Sequence, residues 1–327
     1  MQILTSIPAL TTLPGPLALA IGVFDGVHLG HQEVIRAAMD YTEKHGGATV
    51  VMTFDPHPLK VLRPEAAPRL LCSTRHKVRI LAELGITHTL ICPFDEAMAR
   101  TDAGQFVESL VKSCQPLGFI SVGYTWSFGK GRGGNIHHLM ELGQAHGFGV
   151  YGVPEVKVAG TVVSSTLVRE AVRCADFARA RQLLGREYTV LGEVVHGRHL
   201  GNQIGFPTAN VAIENEELPP NGVYAVRVKV LETTAADASG STGGEASLPA
   251  VANLGVRPTV EQQGDRSLEV HLLDFHDDLY GCSLEVTFVA SLREEMKFPG
   301  LDALKAQIAR DADAARAVLQ TPPAALR

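Results

Sequence analysis

Through the first half of the chain, short apolar runs that stop in turn residues alternate with amphipathic stretches. Leu17-Ala-Leu-Ala-Ile-Gly-Val-Phe24 is such a run and ends in Asp25-Gly26. Gln32 to His45 then repeats apolar positions at Val34, Ile35, Ala38 and Tyr41, the spacing of one helical face. This predicts strand, tight turn, helix. Ala48 to Phe54 is a second apolar strand stopped by Asp55-Pro56-His57-Pro58, and Leu90 to Pro93 and Ile120 to Gly123 predict further short strands between helical stretches. Alternating β and α of this kind predicts an α/β fold with a parallel sheet and right-handed crossovers.

From about Tyr188 the period changes to short alternating runs: Thr189 to Val195, Gly222 to Leu231, Ala250 to Leu254, Leu268 to Phe275 and Leu284 to Val289. Turn residues separate them, which predicts an all-β module, a small antiparallel barrel. The change of period places a domain boundary at Leu184-Gly185-Arg186, giving modules 1–184 and 185–327. Leu301 to Leu319 has helical spacing and stops before Pro322-Pro323, so a helix is expected to close the chain. Glu232 to Ser247, rich in Ala, Ser, Thr and Gly between two strands, reads as a flexible hairpin insertion without function.

Composition agrees with two folded modules. At 327 residues the chain exceeds the ordinary single-domain range, and 45% apolar with 20% charged residues is the balance of a folded chain. A formal charge of −6 argues against a general nucleic-acid binder, whose affinity comes from many lysines and arginines neutralising phosphates. Any phosphate site is therefore expected to be local. Cys72, Cys92, Cys114, Cys174 and Cys282 are odd in number and show no CxxC pairing, which favours reduced thiols in a cytoplasm over disulfides or zinc. No leader pattern and no membrane-length apolar run appears, so a cytoplasmic protein without a membrane partner is expected. An oligomer is compatible with the sequence, which fixes no oligomeric state.

Chemistry enters directly after the first strand. Gly22-Val-Phe-Asp-Gly-Val-His-Leu-Gly-His31 places glycines, two histidines and a helix start together. Helix N-termini carry unpaired N–H groups and partial positive charge, Gly26 and Gly30 let the backbone approach an anion, and His28 and His31 can donate to the same group. Taken alone, two histidines three apart are more often only surface residues or a cap. Val163-Ser-Ser-Thr-Leu-Val-Arg169 adds hydroxyls at a helix start, Ser164, Ser165 and Thr166, with Arg169 about a turn later; such a set converges on phosphate oxygens or is simply a cap with a solvated arginine.

A second constellation lies in the later half. Gly192 to Asn210 carries glycines at 192, 197, 201 and 205, a composition suited to a flap whose N–H groups face phosphates. It is not a P-loop, since no Gly-Lys-Ser/Thr follows. Thr208 and Asn210 of Phe206-Pro-Thr-Ala-Asn210 are oxygen donors suited to a hard cation that keeps most of its waters, or members of an ordinary turn.

At Gly22 to His31 the chain resembles the HxGH nucleotidyltransferase superfamily. Thr53-Phe-Asp-Pro-His-Pro58, Val122-Gly-Tyr-Thr-Trp-Ser-Phe-Gly129 and the Ser-Ser-Thr-x-x-Arg block are similar to the successive motifs of the bacterial bifunctional riboflavin kinase/FAD synthetase family. Phe206-Pro-Thr-Ala-Asn210 resembles the PTAN motif of riboflavin kinases. Gly222-Val-Tyr224, Asn253-Leu-Gly-Val-Arg-Pro-Thr259, Leu268-Glu-Val-His271, Leu279-Tyr-Gly281 and Leu292-Arg-Glu-Glu-Met-Lys-Phe298 follow in family order.

The resemblance implies a Rossmann-like HxGH nucleotidyltransferase domain followed by a riboflavin-kinase barrel. It implies phosphorylation of riboflavin to FMN and adenylylation of FMN to FAD, with ATP as co-substrate and Mg²⁺ as cofactor. In these terms His28, His31 and Arg169 act on nucleotide phosphates, and Gly22, Phe24, Asp25, Gly26, Gly30, Thr125, Phe128, Ser164, Ser165 and Thr166 line the first site. Gly197, Gly201, Gly205, Thr208, Asn210 and Arg293 line the second, with Thr208 and Asn210 at Mg·ATP and Glu269 as general base. Without the resemblance, Glu269 reads as an outward-facing strand residue and Phe128 as core. Where the family usually has a carboxylate or amide, this chain has Thr125, whose shorter hydroxyl cannot make two contacts from a planar head. The alternatives are a kinase with weak or lost adenylylation, a flavin- or nucleotide-binding regulator, and a nucleotidyltransferase with another phosphorylated acceptor.

Overall fold

The computed structural model describes residues 1–196, 205–214, 216–231, 247–256, 266–275 and 277–320. Gly197, Gly201, nearly all of the Glu232 to Ser247 insertion and the 257–259 end of the Asn253 run lie outside those residues. The chain divides into two units: Met1–Arg69 with Thr74–Ser165, and Leu70–Ser73 with the described residues from Thr166 onward.

The first unit is built on β1 (Gln2–Leu4), β2 (Leu17–Ile21), β3 (Ala48–Asp55), β4 (His88–Pro93), β5 (Leu117–Gly123) and β6 (Gly149–Val153). They form one sheet in the order β1-β4-β3-β2-β5-β6, and every neighbouring pair is parallel. All five residues of central β2 are buried, because a parallel strand covered on both faces has no solvent side to make polar. Alternation along β5 sends Ser121 toward the helix Leu29–His45, where its hydroxyl donates to the Val34 carbonyl at 2.7 Å. Ile120 and Val122 point the other way, into a core shared with Phe106, Val107 and Leu110 of the helix Ala103–Ser113 and Leu139 of Ile136–His146. β1 and β6 went unforeseen: the first has three residues and the second carries two glycines, so neither shows a period. β7 (Lys157–Val158) and β8 (Thr161–Val162) make a small hairpin through Ala159 and Gly160, both at positive φ.

In the second unit the helices Ser165–Arg173 and Phe177–Leu184 precede the strands, and Gly185 ends the latter helix in the left-handed conformation. β9 (Thr189–Val195), β10 (Ala209–Ile213), β11 (Gly222–Leu231), β12 (Leu248–Val256), β13 (Arg266–Leu272) and β14 (Ser283–Arg293) close into a barrel in the order β10-β13-β12-β11-β14-β9, all pairs antiparallel. The strand expected to reach Phe275 stops at Leu272, because Leu273-Asp274 turns with Asp274 at φ 58°. β10 coincides with a segment read as a motif rather than a strand, and β14 runs on to Arg293. Closure leaves no sheet edge to protect.

The terminal helix Leu301–Gln320 covers Val223, Ala225, Val251 and Leu273 with Ala312 and Ala315. Two buried carboxylates anchor this unit: Glu216 accepts from the backbone N–H of Ser73 at 2.7 Å and of Leu191 at 3.1 Å, and Glu217 holds Arg173 at 2.7 Å. The bond to Glu217 raises the Arg173 pKa.

Candidate functional site

The first arrangement begins where β2 ends. Gly22 still donates its N–H to Met52 of β3 at 3.1 Å, after which the chain turns through Phe24 at φ 50°, Gly26 at φ 79° and Val27 at φ 43°. A β-branched residue in the left-handed region costs about 1–3 kcal/mol and persists only where its surroundings enforce it, typically at ligand sites. His28 then caps the helix: its Nδ1 accepts the His31 backbone N–H at 3.3 Å. In a neutral ring this leaves the proton on Nε2. The His28 and His31 rings stack at 3.6 Å, and Phe24 stands edge-on to His31 at 5.3 Å. Gly30 permits the stack, since a Cβ there would lie 3.2 Å from the His28 ring.

Asp25 and His28 are buried, and the Ser165 hydroxyl donates to the Asp25 carbonyl at 2.9 Å. Gly22, Phe24, Asp25, Gly26, His28, Gly30, His31 and Ser165 are therefore brought together. Arg169, buried, shares a helix face with Ser165 four residues earlier, whereas Ser164 is half-buried and Thr166 exposed.

Beside this cradle lies a cavity of about 670 Å³ whose lining includes Val23, Phe54, Phe94, Thr125, Trp126 and Phe128. Trp126 and Phe128 stack at 4.5 Å and 10°, and the rim carries Arg63 and Arg132, the latter donating to the Ser127 hydroxyl at 2.7 Å. The volume lies within the roughly 300–1,000 Å³ of small-molecule pockets. Of this lining only Thr125 and Phe128 had a site role from sequence; Phe54 and Trp126 lie within the motifs without one, and Arg63 and Phe94 lie outside them. Phe54, Arg63, Phe94 and Trp126 come from four separate segments, and no local pattern joins them.

In the barrel, register does the assembling. Asn210 pairs with Glu269 across β10 and β13, and Glu269 pairs with Asn253 across β13 and β12. Val223 pairs with both Asn253 and Arg293. Directly opposed residues share a face, so Asn210, Glu269, Asn253 and Arg293 form one row on the outside of the barrel. Asn210 and Glu269 are half-buried and Asn253 is exposed. Val223, buried, stands in the row between Asn253 and Arg293; both Asn253 and Val223 lie within sequence motifs, but neither had a role from sequence. The Arg293 guanidinium grips Asp311 of the terminal helix through Nε and Nη2 at 2.8 to 3.1 Å and lies over the Phe298 ring.

Thr208 lines a separate cavity of about 300 Å³ with Val194, Val270, Asp278 and Tyr280; neither Asn210 nor Glu269 reaches it. His271 Nδ1 meets the Pro207 carbonyl at 2.7 Å and its ring meets Phe206 edge-on, which fixes the segment that carries Thr208. Gly205, exposed at φ 85°, sits just before it. Among the described residues no group of three or more His, Cys, Asp or Glu could hold a metal, and no helix is long and apolar enough to cross a membrane.

A parallel-sheet unit with a histidine-capped turn beside an aromatic cavity, followed by a closed barrel carrying a carboxylate–amide row, defines a two-module α/β-plus-barrel class. A model of the FAD synthetase family matches residues 11–167 and one of the riboflavin kinase family matches residues 184–319. The bifunctional riboflavin kinase/FMN adenylyltransferase of Escherichia coli K12 is 41% identical over 299 residues, 91% of each chain. That of Pseudomonas fluorescens is 39% identical, again over 91% of each. A crystal structure described as a macrolide-efflux protein from Streptococcus pneumoniae shares the fold over 96% of this chain and 98% of its own, with a TM-score of 0.78 at 27% identity. The chain belongs to the bifunctional riboflavin kinase/FMN adenylyltransferase family.

Proposed function

We propose that this protein phosphorylates riboflavin to FMN in its barrel module, residues 185–327, and adenylylates FMN to FAD in its N-terminal module, residues 1–184. The observation that carries the reading is the meeting at Val23 of a phosphate cradle and a flavin-sized aromatic cavity within one unit. A molecule with a stacking ring and a terminal phosphate fits both at once.

In the first reaction the riboflavin 5′-hydroxyl attacks the γ-phosphorus of ATP. The new O–P bond forms as the β–γ bridging bond breaks, ADP leaves, and Glu269 takes the hydroxyl proton. The half-buried placement of Glu269 opposite Asn210 supports this role. Thr208 and Asn210 are neutral oxygen donors and suit Mg²⁺, which binds through nucleotide phosphates and retained waters rather than a dedicated protein cage. The ion would neutralise charge on the transferring phosphates.

In the second reaction an FMN phosphate oxygen attacks the α-phosphorus of ATP, the α–β bridging bond breaks, and pyrophosphate leaves. The nucleophile is already an anion, so no base is needed. His28, His31, the Ser164-Ser165 helix start and Arg169 supply positioning and charge stabilisation. Trp126, backed by the stacked Phe128 ring, offers its other face to the flavin ring, and Arg63 and Arg132 bring positive charge to the rim. Reduced thiols and these substrates fit a cytoplasmic enzyme. A chromatographic time course of riboflavin, FMN and FAD with ATP and Mg²⁺ tests the reading: FMN should rise first and FAD follow. Formation of neither would identify a binding protein instead.

A further inference from the structure

β2 leaves its ladder at Gly22, so the Val23 carbonyl, the last acceptor before the cradle, needs other donors. It finds two. The Thr53 hydroxyl donates to it at 2.9 Å and the Lys77 ammonium at 2.7 Å, and Lys77 also donates to the Thr53 oxygen at 3.1 Å. The three groups close a triangle in which both lone pairs of the carbonyl are used. Thr53 is 0% exposed and Lys77, on the helix Thr74–Glu83, is 5% exposed.

A lysine this buried ordinarily has a carboxylate partner, because an unpaired ammonium loses far more hydration than two neutral oxygens return. Among the described residues no carboxylate lies within ion-pair distance of Nζ. One residue beyond the carbonyl that Lys77 holds, the backbone enters the left-handed turn through Phe24 and Val27 that delivers His28 and His31. The same Val23 lines the aromatic cavity. A lysine held without a carboxylate partner one residue before the turn that delivers His28 and His31 is explained if a bound anion supplies its countercharge.

We propose that Lys77 is a positioning residue for the adenylyl transfer described above, a reading on which this inference rests. It pins Val23 so that the cradle keeps its shape between turnovers, and it lends the cradle a positive charge that polyphosphate neutralises. Displacement of a cradle by a fraction of an ångström to 1 Å lowers turnover by roughly ten- to a hundredfold.

Two substitutions separate the parts of the role, with folded fraction checked by circular dichroism. Lys77→Met keeps the length of the side chain without donor or charge, and kcat/KM for FAD formation from FMN and ATP should fall about ten- to a hundredfold. Lys77→Gln keeps a donor without charge; it should recover part of kcat while the KM for ATP stays raised. Parent values of kcat and KM in both folded variants would overturn the inference, as would losses fully accounted for by unfolded protein. Failure of the parent protein itself to make FAD would sink the adenylylation reading instead.

Discussion

Arg293 and Asp311 join the end of β14 to the terminal helix, and cutting that pair has a calculable cost. Asp311→Ala removes contacts from Arg293 at 2.8, 3.1 and 3.1 Å and one from the Gln307 amide at 2.8 Å. The side chains are only 18% and 6% exposed, so water replaces little of this. Two unit charges whose centres lie about 4 Å apart, at an effective dielectric near 20, attract by about 4 kcal/mol. Part is offset because the buried carboxylate no longer has to be desolvated, and because Arg293 regains some water. The net loss should be about 2–4 kcal/mol, the lower side of what breaking a buried pair costs. For a unit of this size that lowers the melting temperature by roughly 5 to 10 °C.

The only tryptophan, Trp126, belongs to the first unit, so its fluorescence should report that unit and remain near the parent curve. The shift should appear in the far-ultraviolet circular dichroism. Asp311→Asn, which keeps an acceptor, should fall between the two. A loss below about 1 kcal/mol would refute the reasoning and leave the helix held by Ala312, Ala315 and their apolar partners alone.

His28→Ala should lower FAD formation from FMN by about a hundredfold or more while leaving FMN formation from riboflavin intact, as read from product chromatography. Gly129→Ala should displace the Phe128-Gly129 wall of the aromatic cavity, because the residue is at φ 72° and its Cβ would lie 2.6 Å from the Ala103 nitrogen; raised KM for FMN with loss of stability is the expected signature. Burial pushes the thiols of Cys92 to about 11 and Cys114 to about 12, from 9.0. A disulfide reagent at pH 8 should therefore label exposed Cys174 quickly and these two only after denaturation. The same shifts set a pH trend. The folded values exceed the unfolded ones, so the contribution is whole below pH 9 and is lost as pH rises through 11 to 12. Alkaline denaturation should flatten in a Cys114→Ala variant, which an unchanged slope would contradict.

How much of this was legible in the sequence depended on whether the information was local. Strands buried on both faces, such as β2, or alternating in a barrel, such as β9 and β11, carry their period in a few consecutive residues. β6, an edge strand, carries none. The histidine cradle was legible because strand, turn and cap are contiguous. The aromatic cavity was not, since Phe54, Phe94 and Trp126 meet only when the ends of β3, β4 and β5 are assembled in one sheet, with β2 between β3 and β5. Lys77 reads as one more polar position on a helix, and only its burial distinguishes it. Arg293 stood out as part of a motif, but its partner Asp311 is supplied by tertiary packing.

The central claim is that two reactions run in two separate modules of one chain. Glu269→Gln keeps the shape of the half-buried residue opposite Asn210 and removes its capacity to accept a proton. Supplied with riboflavin, ATP and Mg²⁺, this variant should form FMN about a hundred- to ten-thousandfold more slowly than the parent. Supplied with FMN instead, it should form FAD at the parent rate. Loss of both activities in folded protein, or retention of both, would contradict the account.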